Sequence, residues 1–245
     1  MKRLLKMELY EFKHDYICLF MIGIAFIYGM FSSSGYLSAI SYYNLNQGGY
    51  GVFIAMLYDA PGTCILFSTF PALLIGKSFS NRTIVSKIAA GNSRRNVLFS
   101  KAISILIIST MCMIIYPISG ALIITIKYGW NSPALGITIA LIKIIICTSL
   151  LYVAIFSIII FVGIIFRDTF RTVIASVITI LFNAIYLFIA RSLNLPEYRH
   201  PMNLLRIILE DNSTFQFISF SLEGIILLGV ILMLSYKIFR RCELK

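Results

Sequence analysis

Acids are scarce in this chain of 245 residues: it carries 10 Asp and Glu against 21 Lys and Arg, with two His and one Trp. The histidines, His14 and His200, fall in distant segments, and no H-E-x-x-H run occurs, which removes the helical zinc-hydrolase arrangement. No two acids share one apolar run, so acid–base chemistry by paired carboxylates inside the membrane has no seat. The five cysteines, Cys18, Cys64, Cys112, Cys147 and Cys242, are odd in number and widely spaced. None stands at metal-ligand spacing from a histidine, and four lie in apolar runs as small hydrophobes. Long polar stretches are missing as well. Charged residues make up 13% of the chain and hydrophobic ones 59%, where a soluble domain carries about 25% charge.

What the chain has instead is long apolar runs, with mean hydropathy +0.91. About 20 apolar residues cross a bilayer as a helix, which predicts an all-α integral membrane protein with six transmembrane helices. The spans are expected at 16–34, 52–76, 102–126, 143–166, 172–190 and 222–239, within a single transmembrane domain over 1–245. The short pieces left over give no room for a soluble catalytic domain, so any energy source has to be another chain or an ion gradient. The net charge of +11 sits between spans and reads as positive-inside anchoring rather than nucleic-acid binding.

Residues 1–15 read as an interfacial amphipathic helix. Leu4, Leu5, Leu9 and Phe12 recur at helical spacing, with Lys2, Arg3, Lys6 and Lys13 distributed around them, a pattern that suits the headgroup layer. The start does not read as a cleavable signal, because its apolar region begins late and runs too long. In the second apolar run, DAPG reads as a helix restart with Asp59 capping and Pro61 in the first turn, and Pro71 as a kink. A proton-carrying role is the alternative for Asp59. Gly76-Lys77-Ser78 imitates the end of G-x-x-x-x-G-K-S/T, but the first glycine position holds Pro71, so no nucleotide site is expected.

Between spans two and three lies KSFSNRTIVSKIAAGNSRRNVLFSK, residues 77–101, with six cations and no acid. Residues 83–90 have helical character, Gly91-Asn92-Ser93 makes a stop and turn, and Ser93 can cap the helix that leads into span three. Sixteen of the 21 cations fall on this side and five on the other, which places both termini in the cytoplasm. On the outside, YGWNSP is a tight loop. The fourth run begins near Leu135 and is interrupted by Lys143, so it either tilts or starts at the interface. Residues 167–171 form a minimal internal turn. Span five carries a polar stripe, Thr172, Ser176, Thr179, Asn183 and Tyr186, at steps of four and three. It reads either as interhelical hydrogen bonding or as the wall of a substrate passage. Residues 191–221 read as a re-entrant external hairpin before span six, with Glu223 just inside that span.

This layout resembles the ABC-2 type permeases of bacterial ABC exporters: an N-terminal interfacial helix, six spans, a basic loop after span two and a re-entrant external segment before span six. NRTIVSKIAAGNSRRNVLFSK resembles the family's cytoplasmic segment, with Arg82-Thr83 where the family has Gly-Thr, no preceding acid, and Lys77 nearby. The resemblance implies a multi-pass protein of the bacterial cell membrane that is not itself an enzyme. It implies a second permease protomer, as homodimer or heterodimer, and cytoplasmic ABC ATPase subunits that hold the ATP and Mg, with no cofactor in this chain. The short helix would be the coupling helix, with Arg82, Thr83, Val85, Lys87, Ile88, Arg94 and Arg95 toward the ATPase. Small size without soluble domains is similar to lantibiotic-immunity or amphipathic-toxin exporters, which implies a peptide or another amphipathic substrate. A gradient-driven carrier and a non-transporting membrane scaffold are the competing classes.

Overall fold

The computed structural model describes residues 1–39, 48–131, 137–193, 204 and 214–241. Its helices are α1 (Lys2–His14), α2 (Tyr16–Ala39), α3 (Gly49–Tyr58), α4 (Ala60–Phe67), α5 (Thr69–Ser80), α6 (Thr83–Ala89), α7 (Arg94–Tyr128), α8 (Ile137–Phe166), α9 (Thr169–Ser192) and α10 (Thr214–Arg241). Among the described residues there is no strand. Six helical stretches are long and apolar enough to cross a bilayer: Tyr16–Leu37, Gly62–Ser80, Arg94–Tyr128, Leu141–Phe166, Thr169–Ile189 and Phe215–Arg241. Helices satisfy every backbone group internally, which hydrocarbon demands. The protein is a multi-pass, all-α membrane protein.

The long α7 is the axis of the bundle. Ser93 caps it by accepting a hydrogen bond from the Asn96 amide at 3.4 Å, and Gly91, at φ 85, makes the left-handed stop that separates it from α6. Its 35 residues rise about 52 Å, well beyond a hydrocarbon layer of about 30 Å. Helices α1 to α6, α8 and α10 all pack on it. The α2 crossing is tight, because Gly29 and Gly120 remove side chains where the two backbones meet. A Cβ on Gly120 would lie 2.9 Å from the Gly29 carbonyl oxygen. Tyr116, Phe67, Ile105 and Cys112 fill the buried seam beside it.

The second apolar run, expected as one span over 52–76, is three helices with breaks at Asp59 and Ser68. Pro71 explains the second break: it has no N–H for the Phe67 carbonyl, so α4 ends at Phe67 and α5 begins at Thr69. Asp59 stands at the N-terminus of α4, but its carboxylate caps no α4 amide, and instead the Tyr36 hydroxyl donates to it at 2.5 Å. Helix α3 is capped from outside itself. The Gly49 and Tyr50 amides donate to the carbonyls of Gly129 and Trp130, at 3.0 and 3.1 Å, which ties α3 to the end of α7.

The outer spans are α9 and α10, with 22% and 11% of their apolar stretches buried against 61% for the three middle spans. Phe182, Phe188, Ile226 and Met233 point outward, which calls for an apolar surrounding. Helix α8 runs unbroken through Lys143. The turn before α9 is shorter than expected, Arg167 at φ 54 followed by Asp168, whose carboxylate accepts from the Arg171 amide at 3.1 Å. The hairpin expected over 191–221 lies largely outside the described residues, as do His200, Cys242 and residues 40–47. The hairpin's last residues, 214–221, form the first turns of α10.

Candidate functional site

The acid-free stretch 77–101 is not acid-free in space. Three of the ten acids lie in the first fifteen residues, Glu8, Glu11 and Asp15, and all three come to its lysines. Leu4, Glu8 and Phe12, at four-residue steps, form the inner stripe of α1: Leu4 and Phe12 are buried against the bundle with Glu8 between them. Glu8 is 0% exposed. One of its carboxylate oxygens takes Lys87 Nζ at 2.7 Å and the other takes Lys101 Nζ at 2.9 Å. Glu11 takes Lys87 Nζ as well, at 2.8 Å. Asp15 receives Lys77 Nζ at 2.7 Å and the Ile17 amide at 3.1 Å, so the same side chain closes the α1–α2 turn. The Lys101 ammonium also lies 4.6 Å from the Phe12 ring centre, a cation–π contact.

Helix α1 therefore clamps the ends of α5 and α6 and the start of α7 through charge. The pairing is matched, three carboxylates to three ammoniums, as burial requires. Asp15 is pulled two ways: burial disfavours its charge, but the Lys77 hydrogen bond and the Ile17 amide outweigh that and hold the carboxyl below its ordinary value. Burial likewise disfavours the Lys87 ammonium, and the Glu11 and Glu8 hydrogen bonds outweigh it and hold Lys87 above its ordinary value. A depressed acid contributes stability above its unfolded pKa and loses it as pH falls; a raised lysine contributes below its unfolded pKa and loses it as pH rises. The clamp is thus complete through the neutral range and loosens at both extremes. Asp15→Asn should flatten the acid limb of a thermal-stability profile while leaving the alkaline limb. An unchanged acid limb would show that Asp15 plays no part in it.

Of the seven residues expected to face an ATPase, the fold separates two groups. Lys87, with 12% of its side chain exposed, faces the α1 acids, and Ile88 packs against the core. Thr83 donates to the Ser78 carbonyl at 3.0 Å. Arg82, in the left-handed region at φ 53 and preceding α6, is exposed, as are Arg94 and Arg95. Arg94 donates to the Arg240 carbonyl at 3.1 Å, joining the start of α7 to the end of α10, and Arg95 lies 5.9 Å from the Phe99 ring centre. Val85 is half-buried. The outward side of α6 then consists of Arg82, Ser86, Ala89 and Ala90. Beside it, Met1, Arg3, Leu4, Met7, Ser86 and Asn96 line an open cavity of about 570 Å³ between α1 and α6.

The polar stripe of α9 divides along its length. Thr172 and Ser176 are buried, on the helix that packs against α5. Thr179 and Asn183 are half-buried, and Tyr186 is 50% exposed. Ser176, Thr179 and Asn183 donate to carbonyls of their own helix at 2.7–2.8 Å, so these bonds do not join two helices. Only the part from Thr179 onward borders open surface.

A polar cluster at the opposite end of the bundle was not apparent from periodicity. Tyr36 donates to Asp59, Ser32 donates to the Tyr116 hydroxyl at 3.5 Å, and the Tyr28 and Tyr116 rings stack at 5.3 Å. Tyrosines within an apolar run were the available signal, since a buried hydroxyl needs a partner. Among the described residues no group of three His, Cys, Asp or Glu could hold a metal ion. Cys18, Cys64, Cys112 and Cys147 are free and buried. Comparison with known proteins finds no matching family model and no matching curated sequence.

Proposed function

We propose that the chain is the membrane-spanning permease subunit of an ATP-driven ABC-2 type exporter of bacterial cell membranes. The charged end of the bundle faces the cytoplasm, both termini included, because the cations concentrate there. The observation that carries this reading is α6: a two-turn helix between two spans, with a small, cationic outer side and a rear side clamped by α1 through Lys87, Glu8 and Glu11. A helix held in that way passes a push on to α1 and α7 instead of yielding locally. Cytoplasmic ATPase subunits, which carry the ATP and Mg, would deliver the push. Spans two and five of this protomer and of a second one would then rearrange around a passage for an amphipathic substrate, a peptide in the closest functional analogy. Lantibiotic-immunity and amphipathic-toxin exporters set that analogy.

The test is co-purification from cells that express the ATPase partner. Arg82→Asp combined with Val85→Asp and Ala89→Asp should remove the ATPase and its stimulation by the permease. Ile88 is left alone because it packs inward. Retained ATPase binding and stimulation in that variant would sink the coupling role. The Asp59–Tyr36 contact favours a second reading, a carrier driven by an ion gradient with Asp59 as its proton-carrying group. Transport by this chain alone under a proton gradient would establish that reading in place of the first.

A further inference from the structure

Glu223 is a carboxylate that neither the clamp nor the coupling helix uses. It lies on α10 with Ile226, Leu227 and Val230, at steps that place all four on one side of the helix. With Gly224, Leu151 of α8 and Leu204 they line a groove of about 330 Å³. Gly224 brings α10 close to α8 there: a Cβ on it would stand 3.5 Å from the Leu150 carbonyl oxygen. Every ion pair among the described residues belongs to the α1 clamp, so among the described residues Glu223 has no cation beside it in this groove.

Depth adds a second constraint. Glu223 precedes Arg240 by 17 residues on an unbroken helix, about 26 Å at 1.5 Å per residue. With Arg240 at one surface of a hydrocarbon layer of about 30 Å, Glu223 lies just inside the other. An ionised carboxylate among apolar side chains at that depth is stable only with water or a cation beside it. A neutral amphiphile would leave the carboxylate's charge unbalanced, and an anionic one would repel it. A cationic head on an aliphatic tail satisfies both parts of the groove.

We propose that the groove between α10 and α8 binds cationic amphiphiles, the ammonium or guanidinium head paired with Glu223 and the aliphatic tail lying along Ile226, Leu227 and Val230 toward the middle of the bilayer. Calling this ligand the substrate rests on the permease reading; its binding does not. The test uses the full chain in phosphatidylcholine nanodiscs with radiolabelled dodecylamine, and dodecanol as the neutral control. Dodecylamine should bind saturably and more tightly than dodecanol. Glu223→Gln should weaken it by about tenfold or more, the size of a charged hydrogen bond, and leave dodecanol unchanged. Ile226→Trp, which fills the tail slot and keeps the charge, should weaken dodecylamine too. Thermal stability of Glu223→Gln should match the parent, since no ion pair is lost. Equal dodecylamine binding by parent and Glu223→Gln overturns the proposal. So does dodecanol binding as tightly as the amine, which makes the groove a lipid-tail slot, or no binding above empty nanodiscs. ATPase co-purification is read separately: amine binding lost with the ATPase retained sinks only this site, and the reverse sinks only the permease reading.

Discussion

Glu8→Ala is expected to destabilise the protein by about 3–5 kcal/mol, the cost of leaving a buried charge without its partner. Lys101 is the charge in question. It is 5% exposed, and Glu8 is the only carboxylate within salt-bridge distance of it among the described residues. Lys87 retains Glu11, so the loss concentrates on α7. Glu11→Ala removes a contact whose carboxylate is 43% exposed and should cost under about 1 kcal/mol, as water screens such pairs. Glu8→Leu combined with Lys101→Met should recover most of the loss, because an apolar pair of similar volume leaves no charge to satisfy. Thermal unfolding of the solubilised protein, followed by the reactivity of the buried thiols of Cys18, Cys64, Cys112 and Cys147, reads all three variants. A Glu8→Ala protein that melts with the parent would mean that Lys101 finds water or another anion, and the clamp would not hold the bundle.

Gly29→Leu should cost about 3 kcal/mol, at the upper end of what overpacking a core does. The reason is what the new side chain meets. A Cβ at this position falls on the Tyr116 carbonyl and the Ser119 hydroxyl, and the backbone of α7 cannot step aside without parting the crossing that small residues permit. Even Gly29→Ala should be destabilising, although alanine favours helix over glycine by about 1 kcal/mol elsewhere. Gly23 on the same helix is the control, since nothing lies within 4 Å of a Cβ built there. Gly23→Ala should be neutral or stabilising in the same thiol-reactivity melt. Should Gly29→Ala behave like Gly23→Ala, α2 and α7 are not in backbone contact at that point.

Periodicity and hydropathy made much of the architecture legible. The α6 helix over 83–89, the glycine stop at Gly91, the Ser93 cap and the α1 helix all depend on residues within a turn or two of one another, and local chemistry decides such features. The second run was less legible: Pro71 marked a break, but a missing N–H acts four residues upstream, so α4 ends at Phe67. Asp59 illustrates a different limit. Its position before Pro61 predicted a cap, and the carboxylate went to Tyr36, 23 residues away in the chain. The resemblance implies Lys87 and Ile88 toward the ATPase, and helix periodicity alone does not say which side of a short helix is covered.

The number of spans and the charge asymmetry are local properties of the chain. An apolar run of about 20 residues has to be helical in hydrocarbon whatever its neighbours do, and cations between runs mark an end of the bundle without reference to any contact. Which charges meet was decided only by the tertiary structure. Glu8 and Lys101 stand 93 residues apart, and their pairing depends on α1 lying across the start of α7. That placement follows from burying Leu4 and Phe12 on the bundle, a non-local packing outcome that no pattern within either segment contains.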